Sequence, residues 1–160
     1  MPEIHFTTYI NSPCERVFNL CCNSRLLKNT FPGKTIFSIN NSPEPYFEEG
    51  NTITWQDKIF FKIRKTSCKI EEIIPFQKIC SEQTEGSFSY FRHEQYFREI
   101  NNGTILIDKL FFDLPYGVIG KIINRIFLET YLKNFLDKKN RAVKEFAESS
   151  KWESIIKFAG

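Results

Sequence analysis

The spacing of apolar residues changes character three times along this chain, and each change predicts a different kind of element. Ile4 to Ile10 holds Phe6, Thr7, Thr8 and Tyr9 and predicts a strand. Ser12-Pro13-Cys14-Glu15 then reads as a helix start. Ser12 can be the N-cap, Pro13 the first helical residue and Glu15 the reciprocal partner of a capping box. Val17, Phe18, Cys21 and Cys22 follow at the spacing of an amphipathic helix. Asn23 or Ser24 can cap a second short helix carrying Leu26 and Leu27, which Pro32-Gly33 ends.

The middle of the chain changes to strand-like runs. These are Thr35 to Ile39, Thr52 to Ile63, Thr66 to Ile74, Lys78 to Thr84, Phe88 to Ile100 and Thr104 to Leu114. Between them lie only short breaks: Asn40 to Pro45, Gly50-Asn51, Pro75, Glu85-Gly86 and Asn101-Asn102-Gly103. Short turns without intervening helices predict an antiparallel meander. Asn and Gly tolerate positive φ cheaply, so Asn101-Asn102-Gly103 is a hairpin turn.

After Pro115-Tyr116-Gly117 the period becomes helical. Val118 to about Glu148 lacks proline, and Leu128, Leu132, Phe135, Leu136, Val143 and Phe146 form an apolar stripe. Asp137, Lys138, Asn140 and Lys144 fall elsewhere on that helix. It would run roughly 45 Å at about 1.5 Å per residue, far longer than an average globular helix. A curved antiparallel sheet of roughly six or seven strands would give it a surface to lie on. The last residues, 149–160, hold Trp152, Ile155, Ile156 and Phe158. This tail can cover an apolar patch, mediate self-association such as a homodimer, or stay disordered. With no repeat, low-complexity segment or linker, residues 1–160 read as one domain.

Composition narrows the class. A net charge of +3, from 22 Lys and Arg against 19 Asp and Glu, is too mild for a nucleic-acid partner. The one dense basic run, Lys138, Lys139, Arg141 and Lys144, reads as a solvated helix face. The five cysteines, Cys14, Cys21, Cys22, Cys68 and Cys80, are odd in number and form no C-x-x-C pair. They read as buried free thiols of a reducing, cytoplasmic setting. Met1 to Ile10 has no signal-peptide pattern, and no run approaches about 18 apolar residues, so no stable membrane insertion is expected. Aromatic residues make up 16% of the chain, with 17 Phe. Translated AT-rich DNA explains that as readily as a ring-lined interior does.

The element order resembles the SRPBCC superfamily, the START and birch-pollen-allergen type of helix-grip fold, over about residues 3 to 146. It is most similar to a bacterial branch grouped with polyketide cyclases and dehydrases. Ser12-Pro13-Cys14-Glu15-Arg16-Val17-Phe18 resembles that family's entry motif, and Glu49-Gly50 its turn before the third strand. Ile70-Glu71-Glu72-Ile73-Ile74-Pro75 resembles "I-x-E-x-x-P". Gln83 with Gly86-Ser87-Phe88 resembles "Q-x-x-G-P-F", with Ser87 in place of proline. Phe91-Arg92-His93-Glu94-Gln95-Tyr96-Phe97 resembles "W-x-H-x-H-x-F", with Phe91 for Trp and Gln95 for the second His. Gly103-Thr104 with Asp108, and Leu114 to Gly120, resemble "G-T-x-x-x-D" and "x-P-x-G-x-x-G". The resemblance implies an α+β helix-grip domain with two short helices after the first strand and an apolar cavity. It implies no particular reaction, since the superfamily spans lipid carriers, receptors, cyclases and oxygenase domains.

Strand alternation then selects candidate site residues. A turn at Asn102 pairs residues whose numbers sum to about 203. Phe91, His93, Gln95 and Phe97 would share the concave face with Leu106, Asp108, Leu110 and Phe112, while Arg92, Glu94, Arg98, Lys109 and Asp113 face solvent. Ile79, Ser81 and Gln83 of the neighbouring strand are placed inward too. Trp55, Phe61, Tyr90 and Tyr96 can be core or cavity wall, and Trp55 is grouped with the wall. The candidate ligand-binding set is therefore Trp55, Ser81, Gln83, Phe91, His93, Gln95, Asp108 and Phe112. His93 and Asp108 lie diagonally within hydrogen-bond reach and could serve as an acid–base pair, orient a ligand, or be structural. Gln95 in place of a second His weakens the catalytic option, because an amide does not titrate.

No metal site is expected: His5 and His93 are the only histidines, and no third ligand stands at a recognisable spacing. No cofactor is expected, and the cysteines read as core. The leading expectation is non-catalytic binding of an apolar or amphipathic small molecule, lipid-like or aromatic. Rivals are a cyclase or dehydratase using His93 and Asp108, and a protein-interaction module using the tail or the basic run. A cavity under about 100 Å³ with no co-purifying ligand would count against the first.

Overall fold

A computed structural model of the chain describes residues 2–30, 37–40, 45–59, 62–86, 88–113 and 118–156. Strand β1 (Glu3–Ile10) leads into helices α1 (Cys14–Cys21) and α2 (Ser24–Thr30). Six strands follow: β2 (Phe37–Asn40), β3 (Thr52–Ile59), β4 (Lys62–Ile74), β5 (Lys78–Glu85), β6 (Tyr90–Ile100) and β7 (Gly103–Asp113). The long helix α3 (Val118–Glu148) and a single turn, α4 (Trp152–Ile155), close the chain. The seven strands form one antiparallel sheet in the order β1-β7-β6-β5-β4-β3-β2. The α+β architecture expected from the sequence, with its two short helices after β1, is what the chain adopts.

The β6–β7 register is the one the turn dictates: Gln95 pairs with Asp108, His93 with Leu110 and Phe91 with Phe112. Asn101 and Asn102 both take positive φ, 45° and 67°, as a two-residue type I′ hairpin requires. Gly103 is needed for a different reason, because a Cβ there would sit 2.5 Å from the Tyr9 hydroxyl. The resemblance motifs near β4 are structural as well. Gly50 takes φ +90°, and the Glu49 carboxylate accepts the Ile73 N–H at 2.9 Å. Register shifts at Ser67/Cys68 and Ile70/Glu72 bend β4, which helps the sheet curl around α3.

Three local expectations are corrected. The capping box does not form: Pro13 is the N-cap of α1 without a side-chain bond, and buried Ser12 instead gives its carbonyl to the Thr104 hydroxyl at 2.8 Å. The boundary between the strands expected at Thr52 to Ile63 and Thr66 to Ile74 lies earlier: β3 ends at Ile59, and β4 begins at Lys62 and pairs with β3 from there. In the basic run Lys138 and Arg141 are exposed, but Lys139 is only 5% exposed. Asn23 does cap α2, accepting the Arg25 N–H at 2.9 Å. The expected roles of Thr35, Pro32-Gly33, Phe61, Ser87, the Leu114 to Gly117 segment and Phe158 fall outside the described residues.

The core lies between the concave face and the helices. Leu106, Val143 and Ala147 pack with Val17, Phe18 and Leu20 at one end, and Leu110, Phe112, Leu128 and Leu132 pack at the other. The tail joins the first cluster: Ile156 is buried there, Trp152 lies under the Arg16 guanidinium at 4.1 Å, and the Ile155 carbonyl accepts from Asn23. Through residue 156 the tail therefore covers an apolar patch of its own chain. No helix of the described residues is long and apolar enough to cross a membrane.

Candidate functional site

Between the two clusters the core is interrupted by charge. Asp108 points inward from β7 between Leu106 and Leu110, and none of its surface is exposed. One carboxylate oxygen accepts from His93 Nε2 at 2.7 Å and faces Lys139 Nζ at 3.4 Å; the other accepts from Asn140 Nδ2 at 2.6 Å. Asn140 Nδ2 also reaches the Thr8 hydroxyl on β1 at 3.1 Å. Two successive residues of α3 thus clamp a carboxylate of the sheet.

Burial alone would raise the Asp108 carboxyl, but the Lys139 ammonium and the bonds from His93 and Asn140 overcome it and hold the group well below the usual carboxylate range. Burial, followed by the nearby Lys139 charge, pushes His93 down; its bond to Asp108 opposes this without prevailing. The imidazole is neutral at pH 7. A carboxylate only accepts, so the His93 proton sits on Nε2 and the lone pair on Nδ1. Nδ1 has no protein partner among the described residues.

His93 and Lys139 both border a cavity of about 80 Å³. Its walls come from every layer: Cys21 and Leu27 from α1 and α2, Ile53 and Trp55 from β3, Cys68 and Ile70 from β4, and Phe135 from α3. Phe47, Ile79, Phe91 and Leu110 complete the apolar surface, and Ser81, His93, Gln95 and Lys139 supply polar groups. Gln95 is 7% exposed and its Nε2 has no hydrogen-bond partner. A second compartment of about 30 Å³ shares Trp55, Phe91 and Phe135 as its partition.

Trp55, Ser81, Phe91, His93 and Gln95 are on this wall, and Asp108 stands directly behind it. Gln83 is elsewhere. Pairing of β5 with β6 ends at Glu82–Arg92, and beyond it Gln83 Nε2 donates across the turn to the Phe88 carbonyl at 2.9 Å. Gly86 makes room for that side chain, since a Cβ there would lie 2.4 Å from Gln83 Oε1. Phe112 is fully buried against Phe88 and the α3 stripe, away from the cavity. Tyr96 is on the outer face, donating to Glu94 at 2.6 Å. Lys139 and Asn140 are the residues sequence reasoning missed. The available signal was that their positions continue the Leu132, Leu136, Val143 stripe, where apolar residues belong.

Burial disfavours the thiolate of the buried cysteines. Burial pushes Cys21 and Cys68 up to about 12 and raises Cys22 and Cys80 as well. Among the described residues no group of three His, Cys, Asp or Glu could hold a metal ion.

Solved structures share this arrangement of sheet and helix. A protein from Thermus thermophilus superposes with a TM-score of 0.76 at 17% identity, over 93% of this chain and 99% of that one. The Zhui aromatase/cyclase of a Streptomyces species gives 0.73 at 14% identity, over 92% and 93% of the two chains. A START superfamily protein from Mycobacterium smegmatis gives 0.66 at 12% identity, over 91% and 97%. The chain has the START-type helix-grip fold. No family model matches the sequence, and no curated protein does. At these identities the likeness concerns the fold alone.

Proposed function

We propose that the protein binds a small apolar or amphipathic molecule inside the cavity, with the molecule's polar end at His93 and Gln95, and catalyses no reaction on it. The observation that carries this is the Gln95 amide: buried, without a partner, and bordering an otherwise apolar wall. A buried polar group left unpaired costs about 1–3 kcal/mol, so a donor kept there fits a guest that accepts from it. The cavity, at about 80 Å³, falls under the size of about 100 Å³ that counts against binding when no ligand co-purifies, and this restricts the guest. About 80 Å³ is well below the roughly 300–1,000 Å³ of drug-sized sites, so an extended lipid does not fit as the walls stand. Native mass spectrometry of freshly purified protein tests the reading. A small non-covalent adduct, or saturable binding of a ring-sized apolar probe, is expected; an adduct-free protein that no such probe binds would contradict it.

The His93–Asp108 bond supports a second reading, an enzyme of the cyclase or dehydratase kind. Asp108 fixes the Nε2–H tautomer and leaves Nδ1, on a residue that borders the cavity, without a protein partner among the described residues and able to act as a general base. If both His93→Ala and Asp108→Asn left turnover of a found substrate unchanged, that reading would fail.

A further inference from the structure

From the charge and hydrogen-bond count of the cavity floor, we infer that the site selects an uncharged, ring-sized molecule carrying a hydroxyl, whose oxygen accepts from Gln95 Nε2 and whose proton goes to His93 Nδ1. The inference rests on the cavity-binding reading above and specifies its ligand. His93 and Gln95 are two residues apart on the inward face of β6, about 6.6 Å along the strand. One oxygen serves both when the two nitrogens lie within about 6 Å of each other, two hydrogen-bond lengths. Both residues border the cavity, and the Gln95 Nε2 donor and the His93 Nδ1 acceptor have no protein partner among the described residues. A hydroxyl is the small group that satisfies both from one atom. An ether or ketone leaves the imidazole lone pair unpaired, and a methyl leaves both groups so.

Charge argues against an anion. Asp108 and Lys139 already neutralise each other, with their groups 3.4 Å apart and both residues buried. An entering carboxylate would find no free cation and would turn its own lone pairs toward that of His93. Water can also satisfy both groups, and a hydroxyl reproduces the bonds of a water it displaces, which a methyl cannot. Size sets the rest: a single ring is the scale of the 80 Å³ compartment, and the aromatic partition of Trp55, Phe91 and Phe135 bounds it.

The test is a titration followed by NMR of the whole chain at pH 7 with three probes: phenol, its near-isostere toluene, and benzoate. Wild type should bind phenol at least about fivefold more tightly than toluene and should not bind benzoate, a ratio expected from one or two buried hydrogen bonds of about 1 kcal/mol each. Gln95→Met should bring the phenol-to-toluene affinity ratio down toward one, with toluene bound at least as tightly as by wild type. That variant should fold, because it removes a buried donor that has no partner. Toluene binding as tightly as phenol, retention of the phenol preference in Gln95→Met, or binding of benzoate would each overturn the hydroxyl assignment with cavity binding intact. Failure of all three probes to bind would overturn the cavity reading itself.

Discussion

Replacing Asp108 by Asn isolates the charge on which the interior depends. Lys139 is 5% exposed, and the Asp108 carboxylate, 3.4 Å from its ammonium, is the counter-ion the structure gives it. At that separation the attraction is about 5 kcal/mol for an effective dielectric near 20. Removing one partner of a buried pair strands the other charge and costs about 3–5 kcal/mol. The asparagine amide must also turn its NH₂ toward donors, either Asn140 Nδ2 on one side or His93 Nε2 and Lys139 Nζ on the other. Urea unfolding should therefore show Asp108→Asn destabilised by about 3–5 kcal/mol, and melting should drop by about 6–20 °C for a chain of this size. Adding Lys139→Met removes the stranded charge, so the double variant should recover at least about 2 kcal/mol relative to the sum of the single effects. Strict additivity, or an Asp108→Asn cost below about 1 kcal/mol, would refute the view of Asp108 and Lys139 as one buried unit.

Three further outcomes follow from individual contacts. Because the folded His93 binds its proton less readily than a free histidine near pH 6.5, the unfolded state holds more protons as pH falls below that value, and stability should decline there; His93→Gln should flatten this part of a pH–stability curve. Gly86→Ala should cost about 1–2 kcal/mol by driving a Cβ onto Gln83, and much of that cost should vanish in a Gln83→Ala background, as read by a double-mutant cycle in urea. Asn102→Gly should raise stability by about 0.5 kcal/mol, since φ of 67° suits glycine better and Asn-Gly favours the type I′ turn; a lower melting temperature would contradict the turn assignment.

Much of the fold is legible because it is locally encoded. Two consecutive asparagines fix the β6–β7 register, and with it the His93–Asp108 encounter. The length of α3 can be read from an uninterrupted helical pattern. Tertiary contacts decide the remainder. Lys139 and Asn140 look like part of a solvated basic run, and only the position of Asp108 across the core shows why polar residues interrupt the apolar stripe. Gln83 shares strand parity with Ser81, yet the end of β5–β6 pairing frees it to brace the turn. Ser12 looks like a helix cap, but Pro13 takes the N-cap position and the buried Ser12 hydroxyl makes no hydrogen bond. Cavity volume is a sum over many side chains, and Phe richness alone is compatible with a filled or an open interior.

Whether the small cavity receives a guest on its polar floor at His93 and Gln95 is decided by ¹⁵N NMR of the Gln95 side-chain amide and His93 Nδ1 during a phenol titration. Saturable shifts at both nitrogens together are expected, with His93 remaining neutral throughout. Unperturbed resonances at saturating phenol, or shifts confined to residues away from this wall, would contradict guest binding at that floor.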